Sequence, residues 1–205
     1  TVFTLATITA QAAGPPNFVL VYVDDLGWAE TSVEMIKGRA DTRSDYFQTP
    51  HMARIAQEGM VLSSCYSPST LCAPSRNSLL HGMTPSRLRY AVLSSIEAKK
   101  QYMGKITIPQ ALKKANPNYQ TAHFGKWHIN TDPGILGYDI HDGKNGNKEG
   151  KFVNDKSQWK NEFSEDPKKI FSLSKKAIDF IEKQNNLGKP FYLQISHYAV
   201  HTNIV

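Results

Sequence analysis

Side chains able to carry acid–base, nucleophilic or metal chemistry fall at several separate places along this sequence. Two adjacent carboxylates, Asp24 and Asp25, follow a run of six apolar residues. Like charges placed together repel unless a cation or several donors neutralise them, and carboxylate oxygens suit Ca²⁺ or Mg²⁺. The alternative is a turn aspartate beside a helix cap, and the dipeptide alone leaves both interpretations open.

Cys72 lies in the string Cys-Ala-Pro-Ser-Arg, which is a more informative pattern. Pro74 marks a helix start, so Cys72 is predicted to lie near the unpaired N–H groups and positive dipole end that favour an anion. Arg76 adds a permanent cation whose planar fork suits a tetrahedral oxyanion. A cysteine in such surroundings is predicted to be reactive, whereas without that context Cys72 could equally be a buried structural thiol.

Further basic side chains follow two later apolar runs. Lys126 and His128 come after the first, and His197 and His201 come after the second. The two late histidines have the spacing of a helical zinc pair, but they lack the intervening Glu and follow a strand, which disfavours zinc. The alternatives are a surface lysine at 126 and a helix cap or core histidine at 128.

The elements that must position these residues alternate between strands and helices. Strands are predicted over 18–23, 60–65, 119–124 and 191–196, and helices over 50–58, 74–81, 108–115 and from Asp166-Pro167 to 187. The apolar stripe predicted for the last helix is Ile170, Leu173, Ala177, Ile178 and Ile181. Residues 130–165 show no clear period and are interpreted as a long surface excursion.

This order predicts an α/β fold in which a mostly parallel sheet is sandwiched by helices. In such sheets, sites gather beyond the carboxyl ends of the strands. The residues that could carry chemistry, including the segment around Cys72, come just after predicted strands. They are therefore expected to meet at one edge of the sheet.

Composition excludes several classes of protein. With 40% hydrophobic and 20% charged residues, the chain is globular rather than collagen-like, coiled-coil or disordered. No apolar run reaches the roughly 18 residues of a membrane span. The net charge of +6 attracts anions of any kind, but no nucleic-acid-binding motif accompanies it, so no nucleic-acid partner is expected. The lysines between 144 and 169 are interpreted as a solvated basic loop.

The first residues are small, apolar and uncharged. Ala10-Gln11-Ala12 fits the cleavage pattern of a secretory signal, so residues 1–12 are interpreted as a signal-peptide remnant and the location as periplasmic or secreted. A disordered tail is the alternative. A disulfide between Cys65 and Cys72 is not expected, because it would block the chemistry assigned to Cys72 below; Cys65 is interpreted as a structural thiol.

Four segments together resemble the sulfatase family of the alkaline-phosphatase superfamily. They are N-F-V-L-V-Y-V-D-D-L-G at 17–27, C-A-P-S-R-N-S-L-L-H-G at 72–82, G-K-W-H at 125–128 and H-Y-A-V-H-T at 197–202. His81 stands where the family usually has a small hydroxyl residue, and Asn203 where proline is common. The segments occur in family order across almost the whole chain.

The resemblance implies an alkaline-phosphatase-like fold and a set of roles. A maturation enzyme would oxidise Cys72 to formylglycine. Asp24, Asp25 and the modified Cys72 would be ligands of a divalent metal, with Ca²⁺ as the first candidate by chemical type and Mg²⁺ as the second. Arg76 and Lys126 would neutralise charge on the transferring group. His128 and His201 would act as base and acid, with His201 assigned by family analogy to the leaving group.

The function implied is an arylsulfatase-like sulfuric ester hydrolase acting on an aryl or sugar sulfate. One hydroxyl of an aldehyde hydrate would attack sulfur, and deprotonation of the other would expel sulfate. Three alternatives stay open: a phosphonate or phosphoester hydrolase of the same superfamily, a cysteine hydrolase using Cys72 with a histidine, and a non-catalytic anion-binding relative.

Length qualifies this interpretation. Residues 13–205 are expected to form the N-terminal part of a sulfatase catalytic domain that is incomplete at its C-terminus. Calcium takes about six to eight oxygen ligands, more than Asp24, Asp25 and a formylglycine oxygen supply. The resemblance implies that further ligands and another lysine lie beyond Val205.

Overall fold

A computed structural model describes residues 14–90, 105–150 and 165–201 of the chain. The strands are β1 (Phe18–Tyr22), β2 (Gln120–Gly125), β3 (Ile140–His141) and β4 (Phe191–Ser196). The helices are α1 (Pro50–Glu58), α2 (Cys72–His81), α3 (Pro85–Leu88), α4 (Ile108–Ala115) and α5 (Ile170–Asn186). No helix within these ranges is long and apolar enough to cross a membrane.

The four strands form one sheet in the order β1-β4-β2-β3, and every neighbouring pair is parallel. The predicted parallel sheet is therefore confirmed. Every residue of β4 is buried, as expected for an apolar strand that has a neighbour on each side. Gly125 at the end of β2 pairs with Ser196 at the end of β4, so the two carboxyl ends lie side by side.

Helices cover both faces of the sheet, because alternate strand residues point to opposite sides. On one face, Leu173, Ala177 and Phe180 of α5 pack with Phe124 and Leu193. The other face holds a second buried cluster of Leu80, Trp127, Ile129, Leu136, Tyr138 and Tyr192, with α4 packed against it. The sandwich predicted from the alternation of elements is thus observed.

Helix starts differ from the sequence prediction at two places. Helix α2 begins at Cys72 rather than Pro74. Proline fits the third helical position because the first N–H groups of a helix have no intrahelical partner. Helix α5 begins at Ile170, since Lys168 and Lys169 adopt left-handed backbone angles and only a short 3₁₀ turn, Pro167–Lys169, precedes it.

Three side-chain and strand predictions were wrong. Residues 60–65 form no strand, and Met60 and Leu62 stay largely exposed, because a short apolar run does not by itself provide a pairing partner. In α5, Ile178 is 54% exposed and Phe180 takes the buried position. Within the predicted excursion, Ile140–His141 pairs with β2 as a fourth strand. Cys65 is exposed and, like Cys72, is a free thiol.

The end of β2 requires glycine. Gly125 has φ +93°, and a Cβ there would lie 2.1 Å from the carbonyl oxygen of Ser196. Such a contact is impossible without moving one of the two paired strands. Glycine is needed because the strand backbones approach closely at the edge where the site lies.

We expect Gly125→Ala to lower the free energy of unfolding by more than about 2 kcal/mol, because strain at positive φ adds to a backbone clash. Gly188→Ala is the matched control: its φ is +61°, but a Cβ there meets nothing within 4 Å. Urea denaturation of both variants checks this, and equal losses would show that the close approach has no energetic consequence.

His123 lies fully buried in the middle of β2, with Nε2 3.0 Å from the Ser196 hydroxyl. Burial, assisted by the nearby Arg76 charge and by His141, lowers its pKa to about 3. The unfolded chain therefore binds a proton below about pH 6.5 that the folded chain does not take up.

This difference predicts acid destabilisation. Between about pH 6 and pH 4, His123 alone should reduce the free energy of unfolding by about 1.4 kcal/mol per pH unit. The slope of unfolding free energy against pH, compared between wild type and His123→Gln, measures the effect. An unchanged slope in the variant would contradict the assignment.

Candidate active site

The carboxyl ends of β1, β2 and β4 bring together residues that lie far apart in sequence. Asp24 follows β1, Lys126 follows β2 and His197 follows β4, and the three strands are neighbours in the sheet. Main-chain hydrogen bonds extend the sheet into this region: Lys126 N donates to Ser196 O at 2.8 Å, and His197 N donates to Tyr22 O at 2.8 Å. The expected gathering of polar groups at this edge is confirmed.

Asp24 is the centre of a buried ion-pair network. Its Oδ1 accepts a hydrogen bond from Arg76 Nη2 at 3.0 Å, and its Oδ2 accepts one from Lys126 Nζ. The exposed fractions of Asp24, Arg76 and Lys126 are 4%, 3% and 0%. Arg76 also donates to the Lys126 carbonyl oxygen at 2.5 Å. One carboxylate and two cations give the trio a net charge of +1.

The electrostatics of Asp24 follow from its partners. Burial by itself would raise the pKa of Asp24, but the Arg76 charge and the hydrogen bond and charge of Lys126 outweigh burial and lower it. Asp24 is therefore ionised at neutral pH. The Arg76 guanidinium also lies 5.1 Å from the centroid of the Tyr22 ring. Strand β1 therefore contacts Arg76 through a cation–π interaction as well.

Cys72 is the first residue of α2, and its Sγ lies 3.0 Å from Nδ1 of His128. Burial first, and then the charges of Lys126 and Arg76, lower the pKa of His128. The imidazole is consequently neutral at pH 7 and can accept a proton from a group at position 72. His128 has φ +52°, an uncommon backbone conformation for a histidine.

Asp25 and His201 lie at the more open side of this site. Nε2 of His201 is 3.6 Å from Oδ2 of Asp25, whose side chain is 56% exposed. His201 is therefore brought to the site, as predicted, and it contacts the second aspartate. The carbonyl oxygen of His201 accepts a hydrogen bond from Lys168 Nζ.

Sequence reasoning missed Lys168 by assigning it to a solvated basic loop. The ammonium is partly buried, and burial lowers its pKa while the nearby Asp24 opposes that change. Lys168 therefore adds a further cation close to the two aspartates. Its left-handed backbone directly before α5 gave no sequence signal, because neither its residue type nor its spacing marks such a conformation.

Asp24 and Asp25 offer hard oxygen donors of the type that Ca²⁺ and Mg²⁺ prefer. Within the described ranges, however, no group of three or more His, Cys, Asp or Glu side chains could hold a metal ion. The donor chemistry thus fits a part of such a site, with fewer ligands than the six to eight that calcium takes.

Fold and site together define a class: an α/β protein whose parallel strands end at a cationic, cysteine-bearing site suited to a small oxyanion. Residues 16–204 match the sequence profile of the family described as Sulfatase. The chain therefore belongs to the sulfatase family, whose members generally use a formylglycine and a divalent metal.

Curated relatives match along most of this chain. N-acetylgalactosamine-6-sulfatase of Mus musculus is 30% identical over 98% of the chain and 42% of the mouse protein. N-acetylglucosamine-6-O-sulfatase of Bacteroides thetaiotaomicron is 29% identical over 92% of the chain and 31% of that protein. The chain therefore spans less than half the length of these relatives.

Solved structures share the fold. One, from work on glycosaminoglycan metabolism by Bacteroides thetaiotaomicron, has a TM-score of 0.67 at 19% identity and covers 93% of this chain and 52% of its own. Another, a complex with its substrate D-glucosamine-2-N,6-O-disulfate, has a TM-score of 0.62 at 23% identity, with 93% and 35% covered. The fold is the alkaline-phosphatase-like α/β sandwich of the sulfatases.

We expect Asp24→Asn to lower the free energy of unfolding by about 3 kcal/mol or more, because it leaves two buried cations without their carboxylate. Asp25→Asn, at an exposed carboxylate, should change it by no more than about 0.5 kcal/mol. Chemical denaturation of the pair measures the difference. Equal effects would contradict the central role of Asp24 in stability.

Proposed function

We propose that this chain carries the nucleophile and the anion-binding side chains of a sulfuric ester hydrolase. The observation that supports this most directly is the placement of Cys72 at the start of α2, one turn before Arg76, with its Sγ 3.0 Å from Nδ1 of His128. The proposal applies to the whole enzyme, because this chain spans only 42% of its mouse relative.

In the proposed enzyme, Cys72 is converted to formylglycine by a separate maturation enzyme. The hydrated aldehyde supplies two hydroxyls on one carbon, one to become esterified with sulfate and one to release it. A divalent metal, for which Ca²⁺ is the first candidate and Mg²⁺ the second, supplies polarisation of the sulfate oxygens when bound. Asp24, Asp25 and the residue at position 72 would hold it, together with ligands from elsewhere in the whole enzyme.

The chain's own residues account for the remaining chemistry. Arg76 and Lys126 both hydrogen-bond to Asp24, which holds their side chains in place. The three residues would therefore present a net charge of +1 to an anion near position 72 without a change in side-chain conformation. Neutral His128 can take a proton from the nucleophile. His201, whose Nε2 lies 3.6 Å from Oδ2 of Asp25, would protonate the leaving group.

Relatives guide the choice of substrate. The mouse protein is named for the 6-sulfate of N-acetylgalactosamine, and the bacterial one for the 6-O-sulfate of N-acetylglucosamine. A sulfated amino sugar is therefore the first substrate class to test, and an aryl sulfate, suggested by the similarity to bovine arylsulfatase A, is the second. The proposed export signal at residues 1–12 lies outside the described residues. Export would bring a hydrolase of sulfated polysaccharides to its substrate in the periplasm or outside the cell.

One observation favours a second candidate. The thiol of Cys72 and the imidazole of His128 already form a contact at 3.0 Å, which is the arrangement of a thiol–imidazole hydrolase. In that enzyme Cys72 would stay a thiol and attack a carbonyl carbon. The two candidates therefore differ in the chemical state of a single residue.

Intact-protein mass and a matched pair of esters decide between them. When the whole enzyme is expressed with a maturation enzyme, residue 72 should lose one sulfur and two hydrogens and gain one oxygen. The protein mass should fall by the difference. The enzyme should hydrolyse a sulfate ester in preference to the phosphate ester of the same alcohol. Cys72→Ala should reduce kcat/KM for the sulfate ester at least about 10³-fold, because the nucleophile is lost.

Cys65→Ala is the control, because Cys65 is an exposed free thiol, whereas Cys72 is the thiol at 3.0 Å from His128. Its activity should equal that of wild type. A clear preference for the phosphate ester would replace the sulfatase proposal with a phosphoester hydrolase. Activity with an unmodified thiol at position 72 would replace it with the cysteine hydrolase.

A further inference from the structure

The segment from Gly125 to His128 leaves the sheet and still holds a fixed shape. Lys126 N makes the last strand-like hydrogen bond, to Ser196 O at 2.8 Å. Beyond Lys126, the main-chain N–H groups of Trp127 and His128 no longer pair with β4 and need other hydrogen-bond acceptors. Trp127 is only 2% exposed, so solvent cannot provide one for it.

Asn145 satisfies this segment with three hydrogen bonds. Its side-chain Oδ1 accepts from Trp127 N at 2.7 Å, and its Nδ2 donates to Gly125 O at 2.9 Å. Its main-chain carbonyl accepts from His128 N at 2.9 Å. A single residue therefore provides hydrogen-bond partners for three of the four residues from Gly125 to His128.

The same loop contributes a second contact at the end of β2. Oδ2 of Asp142 accepts from Gly125 N at 2.9 Å, while Oδ1 of Asp142 pairs with Lys176 of α5 at 2.6 Å. Gly146, next to Asn145, lies against the imidazole, since a Cβ there would be 3.4 Å from Cδ2 of His128. The loop that holds the backbone thus also lies against a functional ring.

These contacts bear directly on two side chains of the site. Lys126 must reach Asp24, and His128 must reach Cys72, from positions two residues apart in one short irregular segment. His128 adopts φ +52°, a conformation that needs support from its surroundings. A shift of the segment by a fraction of an ångström would lengthen both contacts together.

We propose that Asn145 is a positioning residue for the reaction, acting through Lys126 and His128. The role of Asn145 in catalysis rests on the proposed sulfatase function. Its structural role, in which the side-chain amide holds residues 125–128, can be tested without measuring enzyme activity. Sequence reasoning gave no indication of it, because Asn145 lies in the Gly- and Lys-rich stretch interpreted as a surface excursion.

Asn145→Ala in the matured whole enzyme is the test. We expect kcat for a sulfate ester to fall at least tenfold with KM within about threefold, because the substrate still binds while the nucleophile and its base are misaligned. Amide hydrogen exchange of peptides covering 125–129 should become faster, while exchange in α5 and β4 stays as in wild type. If Asn145→Ala does not fold, Asn145→Asp, which keeps the acceptor for Trp127 N, takes its place with the same expectations.

Asn116→Ala is the matched control. Its side-chain oxygen accepts from Asn118 N at 3.0 Å in the turn before β2, at the opposite end of that strand from the site. It should leave kcat within twofold of wild type. An equal loss of kcat in both asparagine variants would overturn the proposal, as would unchanged kcat in Asn145→Ala.

The exchange measurement separates the two proposals. If matured wild type hydrolyses no sulfate ester, the proposed function fails, yet faster exchange confined to 125–129 in Asn145→Ala still supports the positioning role. Unchanged exchange at 125–129 overturns that role whatever the activity of the enzyme.

Discussion

The buried carboxylate of Asp24 is the interaction on which the rest of the site depends. It joins β1 to Arg76 in α2 and to Lys126 after β2, which are 52 and 102 residues away in sequence. A buried charge is tolerated only when it is paired and hydrogen-bonded, so these three elements cannot separate without a large cost. The pairing that holds the fold together at this edge also fixes Arg76, one turn after Cys72 in α2, and Lys126, two residues before His128.

Parallel strands explain why the ion pairs form at this edge of the sheet. The carboxyl ends of β1, β4 and β2 lie side by side, and the chain must leave the sheet there with polar groups to satisfy. Tight connections result: Gly125 allows the close approach to Ser196, while Asp25 and His128 take positive φ angles. Conformational strain is therefore concentrated where the functional side chains project.

Charge balance gives the site its chemical character. The trio of Asp24, Arg76 and Lys126 is cationic. Burial, together with the positive charges of Lys126 and Arg76, lowers the pKa of His128 and keeps it neutral at physiological pH. In the proposed enzyme, an anion would thus be attracted to a place where a base is already unprotonated, beside the first turn of α2. Membership of the sulfatase family agrees with that character, and the small number of metal donors in the described residues agrees with a chain that spans less than half of its relatives.

The sequence by itself determined the elements whose signals are local, and the motifs. Helices α1 and α4 and strands β1, β2 and β4 lie within a residue or so of their predicted bounds, because apolar periodicity and Pro or Gly punctuation act over a few residues. The string around Cys72 and the residues Lys126 and His128 were also identified from sequence. Only the tertiary structure decided that Lys168 donates to the carbonyl oxygen of His201 and that Asn145 holds the segment after β2. Both depend on contacts between distant parts of the chain, and no local pattern of residue types encodes such contacts.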